Sequence, residues 1–469
     1  MQKKYKTALL WFKNDLRLLD NESLCKAIDQ SENILPVYIF DPRHYADTEL
    51  EFAKAGYNRF EFLVQTLSDL RTLLQNKGAN LLIATGKPEE IILQLVKSHE
   101  ISAVFTEQEY APEECDVLEA VMNILPKSCA YVSTWGKTLY HIEDIPYEIN
   151  DIPLTSKAFR INTGKKASVR PVISAPEKIE VFHLDDWGKL PEASQFKLFP
   201  NPDYDEKPYL YGGETEAIMR LSHYTHESEL LTSYKWTRNK SLGLDYSSKL
   251  SPYLALGAIS PRKIYEEVKV YEKSIKKNIS TWWLIFEVVW RDYFTFKGMM
   301  MGNQMFTTSG FKNKVIDFEN DPKKFERWCK GSTGIPFIDA HMRQLNVTGY
   351  MSNRGRVNCA SYMVHDLKID WTWGAAYFES KLIDYDVSSN WMNWHMQAYE
   401  IWYTNPVHQS LKYKAMDYIK KWIPELVSVN NALIHAPWEM DKSPEGYPEP
   451  IGIYPKWSRS INNIVKAIE

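Results

Sequence analysis

The sequence predicts two unlike halves, an α/β N-terminal domain on a parallel, Rossmann-like sheet and an all-α C-terminal domain. Three observations carry this. Up to about residue 135, short apolar runs alternate with helically spaced apolar residues, the pattern of strand–helix–strand units. Residues 141–213 break that pattern with eight prolines. From about residue 214 the helical spacing continues almost without interruption.

In chain order, TALLWF (7–12), ILPVYIF (34–40), NLLIATG (80–86), SAVFTE (102–107) and AYVSTW (130–135) read as five buried strands. Between them, Phe60, Leu63, Leu67, Leu70 and Leu74, then Ile91, Ile92, Leu95 and Val96, mark helices. No GxGxxG follows the first strand, so the usual pyrophosphate loop of a dinucleotide-binding sheet is missing. Residues 1–135 are the expected α/β domain, 136–213 a long connecting segment over the surface, and 214–469 the helical domain. In the last, Ser280 is the expected cap of a helix over TWWLIFEVVWRDYF (281–294), with further helices at 261–272, 337–348, 356–367 and 373–383.

Composition narrows the class. The 469 residues are 44% hydrophobic and 25% charged, with a net charge of −4, and no apolar run is long enough to span a membrane. The N-terminus lacks a secretory pattern and the five cysteines are scattered, so a cytoplasmic protein without a disulfide framework is expected. Charge is uneven: residues 1–150 carry a net of −8 and the remainder +4, and fourteen of the sixteen tryptophans lie beyond residue 150. A polyanion or a large planar ligand would meet the second half; tryptophan as core filler is the plainer reading.

Three clusters in the helical half carry candidate chemistry. In YSSKLSPYLALGAISPR (246–262), Ser247, Ser248, Lys249, Leu250 and Ser251 sit at a loop–helix junction suited either to a phosphate or to ordinary capping. Glu287, Trp290 and Arg291 share one helix face, either as an intrahelical ion pair or beside a ligand. The third cluster joins YMSNRGR (350–356) to LIDYDVSSNWMNW (382–394). Asp384 and Asp386 there admit glycoside hydrolysis or a hard metal, but the neighbouring arginines and Asn390 fit recognition of a polar heterocycle better. No metal site is expected; His365 and His395 read as structural.

These segments, with WFKNDLRLLDN (11–21), FEVVWRDYF (286–294) and GIPFIDAHMRQL (334–345), resemble the photolyase/cryptochrome family. TLYHIEDIP (138–146), GGETEAIMRL (212–221) and LDYSSKLSP (244–252) are most similar to its DASH cryptochrome branch. The resemblance implies an α/β antenna domain and an all-α FAD-binding domain that holds the flavin without a GxGxxG. It implies that Tyr234 and Ser247 to Ser251 hold the FAD phosphates and ribityl chain, with Arg291 assisting. Arg356 and Asp384 would pair beside the isoalloxazine, Asp386 would bond the ring, and Asn390 would face N5.

The activity it implies is blue-light-driven splitting of cyclobutane pyrimidine dimers by reduced FAD, strongest on single-stranded UV-damaged DNA. Glu287 and Asn353 would hydrogen-bond the flipped-out dimer, Trp290 would pack on it, and Arg354 and Met396 would lie along the DNA. Trp394 and Trp371 match the inner members of the tryptophan chain that photoreduces the flavin, whereas Phe318 replaces the outer one, leaving Trp373, Trp328 or a tyrosine as substitutes. The 395–404 segment is shorter than in the family, which bears on the lesion pocket. Glu109 matches a folate-binding glutamate, so 5,10-methenyltetrahydrofolate is an expected antenna, with a deazaflavin or an empty site as alternatives. A monomer is expected. A blue-light photoreceptor with little repair is the alternative function; the 47 residues after Trp422, without low complexity, favour the enzyme, and the short 395–404 segment favours the photoreceptor.

Overall fold

The computed structural model describes residues 3–201, 208–311, 313–400 and 403–466. Five strands form one sheet: β1 (Tyr5–Phe12), β2 (Ser31–Phe40), β3 (Leu82–Thr85), β4 (Ala103–Glu107) and β5 (Ala130–Thr134). They lie in the order β3-β2-β1-β4-β5, all parallel, with Leu9 opposite both Leu35 and Val104. Helices α1 (Glu22–Gln30), α2 (Tyr57–Gln75), α3 (Pro88–Ser98) and α4 (Pro112–Ile124) make the crossovers. Both faces are covered, which is why the strands read as apolar runs. Leu9, Trp11, Leu35, Val37 and Ile39 pack on Ile92, Val96, Leu118 and Val121. Alternate residues Leu10, Phe12 and Phe40 point the other way, into a core shared with the helical half. Strand order reverses at β1, so the crevice beyond the ends of β1 and β4 is where a ligand fits such a sheet.

The segment read as a connection contains a helix the sequence did not signal, α5 (Ser156–Lys166); its residues 202–207, including Pro202, lie outside the described ones. Buried Phe159 seats α5 through tilted ring contacts with Tyr293 and Phe296, at 5.6 and 6.0 Å between ring centroids.

The helical half runs through α6 (Glu214–Ser222), α7 (Tyr234–Thr237), α8 (Ser251–Ala255), α9 (Pro261–Ser274), α10 (Ile279–Met301), α11 (Pro322–Lys330), α12 (Pro336–Thr348), α13 (Asn353–Ser361), α14 (Trp371–Lys381) and α15 (Val387–Tyr399). It ends with α16 (Pro406–Lys412), α17 (Met416–Trp422) and α18 (Ser458–Val465). Two expectations need correcting. Asn278, not Ser280, caps α10: its side-chain oxygen accepts from the Ser280 and Thr281 amides, at 2.7 and 3.2 Å. The helix expected at 356–367 is α13 followed by a wider π turn over Tyr362–Asp366.

Buried polar contacts lock the halves together. Arg262 of α9 pairs with Asp20 at 2.8 Å, and Glu214 accepts from the Leu18 and Leu19 amides at 2.7 and 2.9 Å. Asp292 of α10 accepts from the Leu139 and Tyr140 amides, both at 2.9 Å. Gly257 (φ 64°) passes so close to the loop after β1 that a Cβ would lie 2.0 Å from the Asn14 carbonyl oxygen. Among the described residues, no helix is long and apolar enough to cross a membrane.

Candidate active site

A cavity of about 310 Å³ opens in the middle of the helical half. Four segments far apart in sequence wall it: Tyr234 and Arg238 on α7 and its exit, Ser247 to Ser251 before α8, Glu287 and Arg291 on α10, and Asn353 and Arg356 on α13. Asp384, Asp386, Asn390 and Trp394, around the start of α15, close it. Most of the residues singled out in the sequence therefore share one space.

The 247–251 loop supplies cations and hydroxyls. Arg220 of α6 ties it down by donating to the carbonyls of Ser248 and Ser247 at 2.9 and 3.0 Å. Lys249 sits at φ 58°, an uncommon conformation for a non-glycine residue, and donates to the Ser247 hydroxyl at 2.8 Å. Burial, then the nearby Arg220, lowers the Lys249 pKa to about 6, with Arg356 adding to the effect. Arg220 is paired with Asp245 at 2.7 Å and Arg356 with Asp384, so Lys249, which forms no ion pair with a described residue, is the group left to meet an anionic ligand.

Deeper in, Asp384 accepts two bonds from Arg356, at 2.9 and 2.8 Å, and one from the Ser251 hydroxyl at 2.7 Å. Asp386 caps α15 through the Ser389 amide at 2.8 Å and receives Arg291 at 3.2 Å. The intrahelical Glu287–Arg291 pair considered from the sequence is not formed. Arg291 turns to Asp386 and the Lys137 carbonyl, while Glu287 accepts from Arg238 at 2.5 Å and the Trp283 indole at 3.0 Å. Burial raises the Glu287 pKa against the opposing pull of Arg238. Asn390 donates its amide to the Ala375 carbonyl at 2.9 Å, which leaves its oxygen as the acceptor.

Other expected residues lie outside the cavity wall. Trp290 packs on the outer side of α10 against Phe286, Tyr293 and Phe294. Arg354 is held by Asn239 at 3.2 Å and lies over the Tyr413 ring, and Met396 is half-buried while Gln397 lines the cavity instead. Trp394 touches Phe378 and Trp328, at 5.0 and 6.1 Å between centroids. Trp371 instead meets Trp391 and His395, both at 5.9 Å. The 395–404 segment includes residues 401–402, which lie outside the described ones.

A second cavity, about 300 Å³, lies beyond the ends of the strands, between Trp11, Tyr38, Tyr45, Tyr385 and Trp391. Glu109 borders it, but its carboxylate already meets Lys137 at 3.1 Å and Lys13 at 3.3 Å. Although burial opposes this, those two lysines keep its pKa below the ordinary value. Glu114 faces the same cavity, its pKa pushed up to about 7 by burial and by Glu109. The sequence reading missed Glu114, Arg238, Arg220, Tyr350 and Gln397. Each is one polar residue in a segment whose periodicity reports burial and not partners; the pair of glutamates in APEE (111–114) was the only local sign.

Comparison with known proteins agrees with this architecture. Residues 283–466 match the family described as the FAD binding domain of DNA photolyase, and residues 8–177 match the family described as DNA photolyase. Cryptochrome DASH of Xenopus laevis is 43% identical over 472 residues, covering 96% of this chain and 90% of the relative. Cryptochrome DASH of Synechocystis sp. is 43% identical over 446 residues, covering 92% and 90%. The solved Synechocystis sp. cryptochrome superposes with a TM-score of 0.90 at 40% identity, over 99% of this chain and 100% of that one. An archaeal photolyase from Sulfolobus tokodaii, solved with two FAD molecules, gives 0.79 at 26% identity, over 98% and 99%. The chain is therefore a member of the photolyase/cryptochrome family, in its DASH cryptochrome branch.

Proposed function

We propose that this protein is a blue-light-driven DNA photolyase that holds FAD in the central cavity and splits cyclobutane pyrimidine dimers, preferentially in single-stranded DNA. What supports this reading is that one cavity is lined both by the 247–251 loop, Arg356, Asp384 and Asn390, which suit a flavin, and by Glu287 and Asn353, which suit a pyrimidine. The residues fit the cofactor. Lys249 and the 247–251 hydroxyls suit its pyrophosphate, the Arg356–Asp384 pair and Asp386 suit the polar edge of its ring, and the Asn390 oxygen suits a ring N–H. Held there in its fully reduced form, FAD would supply the light-excited one-electron donor that this reaction requires.

The chain's own part is to bind and orient. Glu287, with a raised pKa, is suited to hold a proton on the carboxyl oxygen that Arg238 and Trp283 leave free and donate it to a pyrimidine carbonyl. Asn353, exposed at the mouth, offers both a donor and an acceptor. A lesion flipped out of a single strand costs less unstacking than one in a duplex. In the second cavity, aromatic walls around Glu109 and Glu114 suit a planar antenna such as 5,10-methenyltetrahydrofolate.

The test uses photoreduced protein and UV-damaged oligo(dT). Recovery of thymine absorbance under blue light, absent in the dark and diminished in Glu287→Ala, is expected; a bound, photoreducible flavin without recovery refutes the proposal. That outcome would favour a photoreceptor, a reading supported by Glu287 already being engaged by Arg238 and Trp283.

A further inference from the structure

The side chains that α10 turns outward beside the cavity are aromatic where a surface helix is ordinarily polar. Trp282, Phe286 and Trp290 follow at intervals of four residues, with ring centroids 5.0 and 6.2 Å apart. Trp283 lies 5.1 Å from Phe286 and joins this row to the cavity through its indole bond to Glu287. The row is open to solvent at its far end: Trp282 is 45% exposed, and nearby Trp236 is 70% exposed.

Cations interleave with these rings. Lys235 lies over both Trp236 and Trp283, at 4.8 and 5.2 Å; Arg238 lies over Trp283 at 5.0 Å; Arg160 lies over Phe286 at 4.3 Å. Arg160 belongs to α5, which packs on α10 and has no acidic residue in SKAFRINTGKK. Lys157, Lys165 and Lys166 of that helix are exposed, and none forms an ion pair with a described residue.

We propose that the Trp282–Phe286–Trp290 row and the basic face of α5 form a docking track that leads a single strand of DNA to the cavity mouth. Unpaired bases stack on Trp282 and Phe286 while the backbone phosphates follow the α5 lysines. The charge pattern selects this occupant. Arg238 is paired with Glu287, but Lys235, Arg160 and the α5 lysines form no ion pair with a described residue; rings interleaved with such cations match a chain of alternating π faces and phosphates, and a duplex hides its base faces. The proposal rests on the cavity being the lesion site only for its direction.

The experiment measures binding of undamaged oligo(dT), and separately repair of an isolated thymine-dimer dinucleotide too short to reach the track. Trp282→Ala combined with Phe286→Ala should weaken oligo(dT) binding about tenfold or more, with unchanged circular dichroism and dinucleotide repair. Lys165→Gln combined with Lys166→Gln should flatten the salt dependence of binding by about 1.4 units of logarithmic slope. Unchanged oligo(dT) affinity in the aromatic variant, or an equal loss for intact duplex, overturns the proposal. Wild-type protein that fails to repair dimers in UV-damaged oligo(dT) while the aromatic variant still loses affinity for undamaged oligo(dT) refutes the photolyase reading and leaves the track standing.

Discussion

With Lys249 at the pyrophosphate, as proposed, flavin binding by the apoprotein should weaken as the pH rises, because that side chain must regain a proton to meet the anion. In the ligand-free cavity its side chain is 2% exposed, and burial followed by Arg220 lowers its pKa from 10.5 to about 6. An anion placed against it restores the preference for the ammonium form, so the complex holds more protons than the free protein above about pH 6. Affinity therefore falls with rising pH through that window. One linked proton sets the ceiling at tenfold per pH unit, about 1.4 kcal/mol, so the Kd rises by up to about a hundredfold between about pH 7 and about pH 9. The apoprotein's stability should move the opposite way, rising with pH, because the unfolded chain keeps the proton that the fold excludes. The assay is quenching of FAD fluorescence by apoprotein at constant ionic strength, with Lys249→Met alongside to remove the linkage. A flat wild-type profile, or the same slope in Lys249→Met, refutes the reasoning.

Three further outcomes follow from individual contacts. Asp384→Asn leaves the Arg356 guanidinium without its carboxylate, which should cost up to about 3–5 kcal/mol in urea unfolding and release the flavin on dialysis. Asp292→Ala strands the buried Leu139 and Tyr140 amides and should lower stability by about 2–6 kcal/mol in the same assay, loosening the contact between the two halves. Because Trp394 meets Trp328 and not Trp371, Trp328→Phe should slow photoreduction, followed as a tryptophan radical in transient absorption, more than Trp371→Phe does.

The class of each half was legible because periodicity is local. Both-sided burial makes Leu9 to Phe12 and Leu35 to Phe40 continuous apolar runs, and the loss of alternation after residue 214 marks the helices. Boundaries were less so. Asn278 caps α10 two residues before Ser280 because both residues are competent caps and only the backbone turn selects one. Helix α5 escaped notice because SKAFRINTGKK buries only Phe159 and Thr163, too few to register a period.

At the site, the sequence by itself determined which segments carry chemistry: the 247–251 loop, Glu287 and Arg291, Asn353 and Arg356, and Asp384 to Trp394 share motifs that the cavity then brings together. Only the tertiary structure decided the partners. Glu287 and Arg291 are neighbours four residues apart, yet each pairs across to another element, Arg238 and Asp386, because long side chains in a desolvated cavity bond to whichever opposite charge the packing presents. Trp394 turns to Trp328, and Glu109 to two lysines, for the same kind of reason. Hydrophobic periodicity records which face of an element is buried; the identity of the group it meets depends on how distant segments pack, and no local pattern holds that distance.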